Sequence, residues 1–374
     1  WGADVVKVEA PLVGDQMRGI TRLEGGDLVG DIHYVFELMN RNKRGVTLNL
    51  KSEAGRGIMY RLVERSDVFM SNFQPSTLAV LGMDYATLSA RNPRLIHATL
   101  TGYGDKGPDR DKPGYDYAAF WANSGIMDKL SDPQGTPRRA RPGLGDNTTS
   151  MCVAAGISAA LFAGERTGRG RQLSFSLYNT AVWALQADVQ VALSLGEELP
   201  YGDADRAANP MWNVYRTSDG RWIELCMLQP DVFWSRFCAA LGLTRLENDP
   251  RFESSPAREE NREVLIAAIR EVFATRTLVE WERILGENDL FSCRVQTVSD
   301  VVKDRQAIEN DFFVEVEHPI GRRIKLVGSP VLFDGVRPAV RRTAPELGQH
   351  TEEVLLELGY DWEDIAAFRE NGAL

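Results

Sequence analysis

The chain has 374 residues and carries 43 Lys and Arg against 53 Asp and Glu, a formal net charge of −10. So acidic a balance argues against a nucleic-acid binder, which would show a basic face. The longest mostly apolar run, Met151–Gly164, is shorter than the roughly 20 residues that a membrane helix needs, so we expect a soluble protein. The four cysteines form no CxxC pair, which favours free thiols in a reducing cytoplasm, and the four histidines show no zinc-ligand spacing, so we expect no metal.

The first third of the chain alternates predicted strands and helices, which indicates parallel strand pairing through right-handed crossovers. Ser52 is a predicted helix cap, and Gly82 is a predicted helix end. In chain order the predicted elements are the strand Ala3–Glu9, the strand Gly45–Leu50, the helix Glu53–Arg65, the strand Asp67–Phe73, the helix Ser76–Leu81 and the strand Leu95–Thr101.

A long apolar helix, Thr148–Arg166, is predicted next and ends at Gly168. A polar segment without clear periodicity, Glu198–Pro210, is a predicted linker to a second region. The remaining predicted elements are the strand Leu173–Leu177, the helix Tyr178–Leu195, the strand Trp222–Met227, helices near Asp231–Leu241, Asn261–Ala274 and Leu278–Glu287, strands near Phe313–Val316 and Ile324–Val327, and the helix Thr351–Leu358.

The sequence GYGDKG at 102–107 follows a predicted strand and matches the GxGxxG pattern of dinucleotide-binding proteins. That site requires a helix to open at the third glycine, so that its N-terminus faces the pyrophosphate. Two prolines, Pro108 and Pro113, bracket the charged residues that follow, which predicts a loop instead. We therefore expect no NAD or FAD and interpret the glycines as a turn at the carboxyl edge of the sheet.

Asp146 lies in the segment PGLGDN, directly before the long apolar helix. One interpretation is a helix cap, a common role for aspartate. The other is a nucleophile that the helix dipole keeps ionised for attack on a carbonyl. Gly143 and Gly145 would then remove side-chain bulk beside Asp146 and let main-chain amides converge on a developing oxyanion. The spacing does not decide between the two interpretations.

Several segments together resemble the family III CoA-transferases, the formyl-CoA/carnitine-CoA transferase or CaiB/BaiF family, over essentially the whole chain. The segments KPGYDYAAFWANSGI, PGLGD and MLQPDVFWSRF most resemble the branch that acts on 2-hydroxy acids such as aryl lactates. The other matching segments are GADVVKVE at 2–9, NRNKRGVTLNL at 40–50, SNFQP at 71–75, NPRL at 92–95, GYGDKGPDRDKPGYDY at 102–117, GLGDN at 143–147, ERTGRGRQ at 165–172 and LGQHTEEVLLELGY at 347–360.

The resemblance implies a Rossmann-like parallel sheet in a large α/β domain, with a smaller inserted α+β domain and an interlocked homodimer. The corresponding ranges are 1–197 for the large CoA-binding domain, 211–310 for the small domain, and 311–374 for a segment that returns to the large domain. The family also has a strand, a turn and a helix before the GADVVKVE segment, so we expect that the chain lacks this unit.

The resemblance also implies roles for particular residues. The family's nucleophilic aspartate falls on Asp146, and its active-site tyrosine and the neighbouring acidic residue fall on Tyr115 and Asp116. Two basic CoA contacts of the family are replaced here by Ala10 and Val80, so Arg41, Lys43 and Arg44 become candidates for binding phosphate or else form a solvated basic turn. The positions expected to contact CoA are Leu48, Lys51, Asn72, Phe73 and Lys112, together with Gly143 and Gly145.

The implied activity is transfer of CoA from an acyl-CoA to a free carboxylic acid through a covalent aspartyl intermediate. An acyl-CoA racemase of the same fold is an alternative, and it needs an acid/base group on each face of the α-carbon. A histidine follows the glycine in that branch, whereas Tyr115 stands at this position and no histidine occurs between His97 and His318. A CoA-binding protein without activity is a third possibility, against which the intact GLGDN segment counts.

Overall fold

The computed structural model describes residues 1–131 and 135–374. The chain divides into two compact units, one formed by residues 1–126, 139–190 and 305–374 and the other by residues 127–138 and 191–304. Residues 127–138 belong to the second unit, whereas the sequence prediction places them in the large domain. Residues 305–310 belong to the first unit, whereas the prediction places them in the small domain.

The strands are short and are distributed over both units. Their bounds are β1 Val5–Glu9, β2 Arg22–Leu23, β3 Gly26–Asp27, β4 Lys43–Thr47, β5 Val68–Ser71, β6 Ile96–Thr101, β7 Arg171–Ser176, β8 Val214–Arg216, β9 Trp222–Leu225, β10 Ser292–Arg294, β11 Phe313–His318 and β12 Arg322–Val327.

Most helices are between four and twelve residues long, and one has 24 residues. A π-helix spans Asp116–Ala122, and two short 3-10 helices span Gln16–Gly19 and Pro250–Phe252. The α-helices are α1 Tyr34–Asn40, α2 Glu53–Glu64, α3 Pro75–Leu81, α4 Tyr85–Arg91, α5 Ile126–Lys129, α6 Leu144–Thr167, α7 Leu177–Ala184, α8 Gln186–Leu195, α9 Pro230–Leu241, α10 Thr244–Glu247, α11 Ser255–Glu260, α12 Arg262–Phe273, α13 Leu278–Glu287, α14 Val298–Val301, α15 Arg305–Glu309, α16 Thr351–Glu357 and α17 Trp362–Glu370.

The first unit contains the parallel strands that the sequence predicts. β1 pairs with β4, and β5, β6 and β7 form a three-stranded parallel sheet in that order. Helices α2, α3, α4 and α16 bury their apolar faces against these strands, with Ile58, Leu88 and Leu355 almost fully enclosed. The mixed α/β fold with parallel pairing is therefore confirmed.

Local signals locate several element ends correctly. The Ser52 hydroxyl accepts the N–H of Gly55 at 3.0 Å, which caps α2 as predicted. Gly82 ends α3 with a φ of +69°, a left-handed conformation that glycine adopts without a steric cost. The predicted helix Leu278–Glu287 has the bounds of α13.

Other boundaries differ from the prediction. The strand predicted at Gly45–Leu50 is β4, Lys43–Thr47, because the parallel register with β1 ends at Thr47. The helix predicted at Tyr178–Leu195 is divided into α7 and α8 at Leu185, whose ψ of 22° departs from helical values. The charged stretch Pro256–Glu260, for which no element was predicted, belongs to the short helix α11.

The second unit is built around its own core. The antiparallel strands β8, β9 and β10 pack against α9, α12 and α13, and Phe237, Phe273 and Trp281 are almost completely buried between them. Within the described residues, no helix combines the length and the apolar character needed to cross a bilayer.

Candidate active site

Asp146 lies in the first turn of α6, which starts earlier than predicted. Gly143, with a φ of +84°, occupies the N-cap position, and the helix begins at Leu144 rather than at Thr148. Because α6 connects the parallel strands β6 and β7, its N-terminus faces the carboxyl edge of that sheet. Asp146 is the third residue of α6 and Gly143 holds the N-cap position, so Asp146 is not the N-cap residue.

Asp116 holds the start of this helix from another element. Its side chain is buried, and Oδ2 accepts the main-chain N–H of Gly143 at 2.7 Å. The second oxygen, Oδ1, is buried without a hydrogen-bond partner among the described residues. A buried carboxylate oxygen without a partner is costly, and such groups often mark functional sites.

Gly145 lets α6 approach the π-helix closely. A Cβ at this position would lie 2.2 Å from Oδ1 of Asp116 and 2.4 Å from Cγ of Phe120. Gly145 is buried, and Phe120 belongs to the apolar core. Because Gly145 has no side chain, the start of α6 packs directly against Asp116 and Phe120. Asp116 and Asp146 are thereby kept close together.

These contacts correct two expectations about the glycines. Gly145 does not open the approach to Asp146, because it faces the buried side of the helix. The amide of Gly143 is not free to bind an oxyanion, because Asp116 already accepts its proton. Gly143 is needed for its left-handed conformation, which turns the chain into the helix.

The electrostatics at Asp146 also differ from the expectation. Asp146 keeps solvent access, yet enough protein surrounds its carboxyl to disfavour the charge. This burial, and after it the negative charge of Asp116, raise the pKa of Asp146 above its ordinary value. The helix N-terminus favours the ionised form, so the two influences oppose each other.

The sequence pattern did not reveal the π-helix that carries Asp116. This helix is seven residues long and has the i→i+5 hydrogen bond from the N–H of Asn123 to the carbonyl of Ala118. Tyr115 precedes it and exposes 67% of its surface, whereas Phe120 and Trp121 are buried. π-helical turns are rare and frequently lie at functional sites.

Three of the residues expected to contact CoA lie on neighbouring segments at the carboxyl edge. Asn72 and Phe73 follow β5 and are exposed, and Lys112 lies in the loop after β6. The carboxylate of Asp111 accepts the N–H of Ser76 at 3.0 Å, which ties that loop to the start of α3. The structure therefore brings the segment after β5 and the loop that carries Lys112 together.

Leu48 and Lys51 follow β4 and have different environments. Lys51 is exposed, and its ammonium group has no ion pair among the described residues. The side chain of Leu48 is buried in the core and its N–H donates to the carbonyl of Glu9 at 2.9 Å, so only its main-chain carbonyl is left for a ligand.

The basic residues before and in β4 are already engaged. Arg44 pairs with Asp4, Glu353 and Glu357 at 2.7, 3.1 and 2.8 Å. Lys43 donates to Oδ1 of Asn40, and Arg41 donates to a main-chain carbonyl. They are neither free phosphate ligands nor a solvated turn, because groups distant in sequence hold Arg41 and Arg44 and because Asn40 holds Lys43.

The GxGxxG segment is a loop, as predicted. No helix opens at Gly107, and the chain runs through turns as far as Gly114. A Cβ on Gly102 would lie 2.6 Å from the Cα of Gly114, so these two glycines allow two backbone segments to touch. The segment therefore lacks the helix that a dinucleotide site requires.

Sequence reasoning missed two features of this region. Thr149 lies one helical turn after Gly145, and its fully buried hydroxyl has no partner among the described residues. Its spacing of four residues from Gly145 was the available signal. Glu24 joins two segments near the site, since its carboxylate accepts from Tyr117 at 3.3 Å and pairs with Arg139 at 3.2 Å.

The chain is similar to several known proteins over nearly its whole length. The chain is 33% identical over 371 residues to an (R)-2-hydroxy-4-methylpentanoate CoA-transferase of Clostridioides difficile, covering 99% of this chain and 92% of that protein. It is 34% identical to a cinnamoyl-CoA:phenyllactate CoA-transferase of Clostridium sporogenes, covering 97% of this chain and 89% of that protein. A crystal structure of a CaiB/BaiF family protein from Brucella suis superposes with a TM-score of 0.81 at 28% identity, covering 96% and 92% of the two chains. The model of CoA-transferase family III matches residues 1–351, and the chain therefore belongs to CoA-transferase family III.

Proposed function

We propose that this CoA-transferase moves CoA from an acyl-CoA to a free carboxylic acid through covalent intermediates on Asp146. The observation that carries the proposal is the carboxylate of Asp146, which has no hydrogen-bond partner among the described residues and lies in the first turn of α6. A carboxylate held at a helix N-terminus on the carboxyl edge of a parallel sheet is placed where ligands of α/β proteins bind.

The reaction can be written in four steps that share this one nucleophile. An oxygen of Asp146 attacks the thioester carbonyl, the C–S bond breaks, CoA leaves as a thiolate, and a mixed anhydride of Asp146 and the acyl group remains. The thiolate then attacks the Asp146 carbonyl of the anhydride, which releases the first carboxylate and leaves an aspartyl-CoA thioester. The acceptor carboxylate attacks that thioester, expels the thiolate and forms a second mixed anhydride. The thiolate then attacks the acceptor's carbonyl in this anhydride, which gives the new acyl-CoA and regenerates the carboxylate of Asp146.

Asp116 has a positioning role in this proposal. It fixes the start of α6 through Gly143 and raises the pKa of Asp146 through its charge. A raised pKa makes Asp146 a more basic carboxylate, and a more basic nucleophile forms a stronger bond to the acyl carbon. Tyr115 is exposed beside Asp116, where it is available to a substrate.

For the CoA moiety we propose the exposed residues at the carboxyl edge. Lys51 and Lys112 supply local positive charge for its phosphates, whereas the chain as a whole carries a net negative charge. Asn72 offers an amide, and Phe73, with 43% of its surface exposed, offers an aromatic face. Leu48 contributes only its main-chain carbonyl.

We propose a 2-hydroxy acid as one partner of the exchange, on the basis of the two relatives named for such acids. The test is a mass-spectrometric screen of purified protein with several acyl-CoAs, each against a panel of carboxylic acids that includes 2-hydroxy-4-methylpentanoate, phenyllactate and oxalate. We expect a new acyl-CoA that depends on the acceptor, with the two 2-hydroxy acids ahead of oxalate.

The same screen in deuterated water separates the racemase alternative. A racemase would incorporate deuterium at the α-carbon of an acyl-CoA without any acceptor, because proton exchange there is its chemistry. Acceptor-independent exchange together with no CoA transfer would overturn the proposed function. Transfer to oxalate alone would overturn only the choice of substrate class.

One prediction concerns the pH profile. Replacing Asp116 with Asn removes a charge that raises the pKa of Asp146, while the amide oxygen can still accept the N–H of Gly143. The pKa of Asp146 falls, so the ionised nucleophile persists to lower pH. The acidic limb of the kcat/KM profile should therefore shift to lower pH in Asp116→Asn.

Glu370→Gln, a change at an exposed carboxylate near the C-terminus, is the matched control and should leave the limb in place. An unchanged limb in Asp116→Asn, or one shifted to higher pH, would contradict the electrostatic role of Asp116.

We also propose that the protein is a homodimer. Several large apolar side chains of α6 and α7 in the first unit are solvent-exposed, among them Phe162 at 61% and Trp183 at 65%. Such a patch on a single chain marks a surface for association. Sedimentation equilibrium should give twice the mass of the chain, and a monomer at micromolar concentration would contradict this.

A cytoplasmic location is the last part of the proposal. All four cysteines are free, and Cys226 and Cys293 are exposed, which suits a reducing compartment. Fractionation of the source cells checks this directly.

A further inference from the structure

The first unit has a cavity that none of the candidate active-site residues lines. It has a volume of about 420 Å³ and is lined by Arg341, Arg342, Thr343, Gln349 and His350, together with Glu317, His318 and Pro319. It adjoins the middle of β4, since the N–H of Gly45 donates to Nδ1 of His350 at 3.1 Å.

The main chain at this cavity is held independently of its arginine side chains. Oδ1 of Asn42 accepts the N–H groups of Arg341 and Arg342 at 2.6 and 3.0 Å. The N–H of Asn42 donates in return to the carbonyl of Arg342 at 3.0 Å, and its side-chain amide donates to the carbonyl of Ala339. The two guanidinium groups are exposed and form no ion pair or hydrogen bond with the described residues.

Three other side chains of the lining have donor groups that form no hydrogen bond with the described residues. Nδ1 of His350 accepts from Gly45, so the neutral ring carries its proton on Nε2 and can only donate there. The amide oxygen of Gln349 accepts the N–H of Glu346 at 2.9 Å, which leaves its NH₂ group as a donor. The hydroxyl of Thr343 has no partner among the described residues.

The acidic groups around the cavity are engaged elsewhere. Glu317 pairs with Arg323 at 3.2 Å, and Glu37 lies 3.4 Å from Nε2 of His318. A neighbouring cavity shares Arg341 and Arg342 and is bordered by Asp4, Glu353 and Glu357, and all three of these carboxylates bind Arg44. The lining therefore presents two unpaired guanidinium groups and three neutral donors, but no unpaired carboxylate.

We propose that this cavity binds a phosphate group, either as inorganic phosphate or as part of a small organic phosphate. Two guanidinium forks match the several oxygens of a phosphate, and the hydroxyl, amide and imidazole donors complete its hydrogen bonds. The volume exceeds that of one phosphate, so a larger molecule that carries the group also fits. The inference does not depend on the proposed transferase mechanism.

The test is isothermal titration of the full chain at low ionic strength with inorganic phosphate, pyrophosphate and ATP as separate probes. We expect saturable binding of at least one probe, and at least about a tenfold loss of affinity in the double variant Arg341→Gln, Arg342→Gln. Thr343→Val should cause a smaller loss. Arg245→Gln, at an exposed arginine of the second unit, is the matched control and should bind like the unmodified chain.

The three probes separate the sources of the phosphate. Equal affinity for phosphate and ATP means that the group alone is recognised, and tighter binding of ATP means that an organic phosphate is the ligand. The absence of saturable binding, or undiminished binding in the double arginine variant with a native circular dichroism spectrum, overturns the proposal. Displacement of bound phosphate by CoA also overturns it, because the phosphate would then occupy the CoA site.

Discussion

Replacing Asp146 with Ala is expected to abolish CoA transfer while the protein stays folded. The carboxylate forms no hydrogen bond or ion pair with the described residues, so its removal costs little stability. Without it there is no group to accept the acyl chain, and loss of a covalent nucleophile lowers turnover by about a thousandfold or more. The measurement is the rate at which the new acyl-CoA appears, read by mass spectrometry.

A trapping experiment addresses the intermediate itself. Incubation of the unmodified protein with acyl-CoA and hydroxylamine should convert the activated carboxyl to a hydroxamate on the peptide that contains Asp146. Glu165→Ala, at an exposed carboxylate near the other end of α6, is the matched control and should keep full activity. Near-normal transfer by Asp146→Ala, or a hydroxamate on another peptide, would show that the nucleophile is a different residue.

The second large effect is expected at Gly145. Its Cβ in Gly145→Ala would lie 2.2 Å from Oδ1 of Asp116 and 2.4 Å from Cγ of Phe120. Neither neighbour can move freely, because Asp116 binds Gly143 and Phe120 is buried. The start of α6 must therefore shift, which should cost about 1–3 kcal/mol of unfolding free energy, as overpacked cores do.

Displacement of Asp146 should reduce transfer by about a hundredfold or more, since small misplacements of reacting groups have such effects. Chemical denaturation and initial rates measure the two consequences separately. Gly164→Ala in the same helix is the control, because its Cβ meets only an ordinary contact at 3.5 Å and alanine favours helices. Unfolding free energy and rate that are both unchanged in Gly145→Ala would contradict the close approach of α6 to Asp116.

Features that depend on neighbouring residues in the chain were predictable. The cap at Ser52, the stop at Gly82 and the helix Leu278–Glu287 all follow from side-chain spacing and backbone preferences within a few residues. The family was also recognisable, because several short segments match at once over the whole chain. These signals come either from neighbouring residues or from the sum of several short matches, so they can be recognised without knowledge of the tertiary structure.

Features that depend on distant partners were not predictable. Arg44 was a candidate for binding phosphate until its partners Glu353 and Glu357, about three hundred residues away in sequence, were seen to enclose it. Leu48 was a candidate CoA contact, yet its side chain is part of the core. A residue type shows what chemistry is possible, whereas burial and pairing show which groups remain available.

The sequence by itself thus determined the family, the alternation of strands and helices, and Asp146 as the candidate nucleophile of a CoA-transferase. Only the tertiary structure decided what surrounds Asp146. It showed that α6 begins at Leu144, that Asp116 binds the amide of Gly143, and that burial and a second carboxylate raise the pKa of Asp146. The physical reason is that a carboxyl's pKa and a glycine's packing depend on atoms brought together from distant parts of the chain, and residue order does not specify those distances.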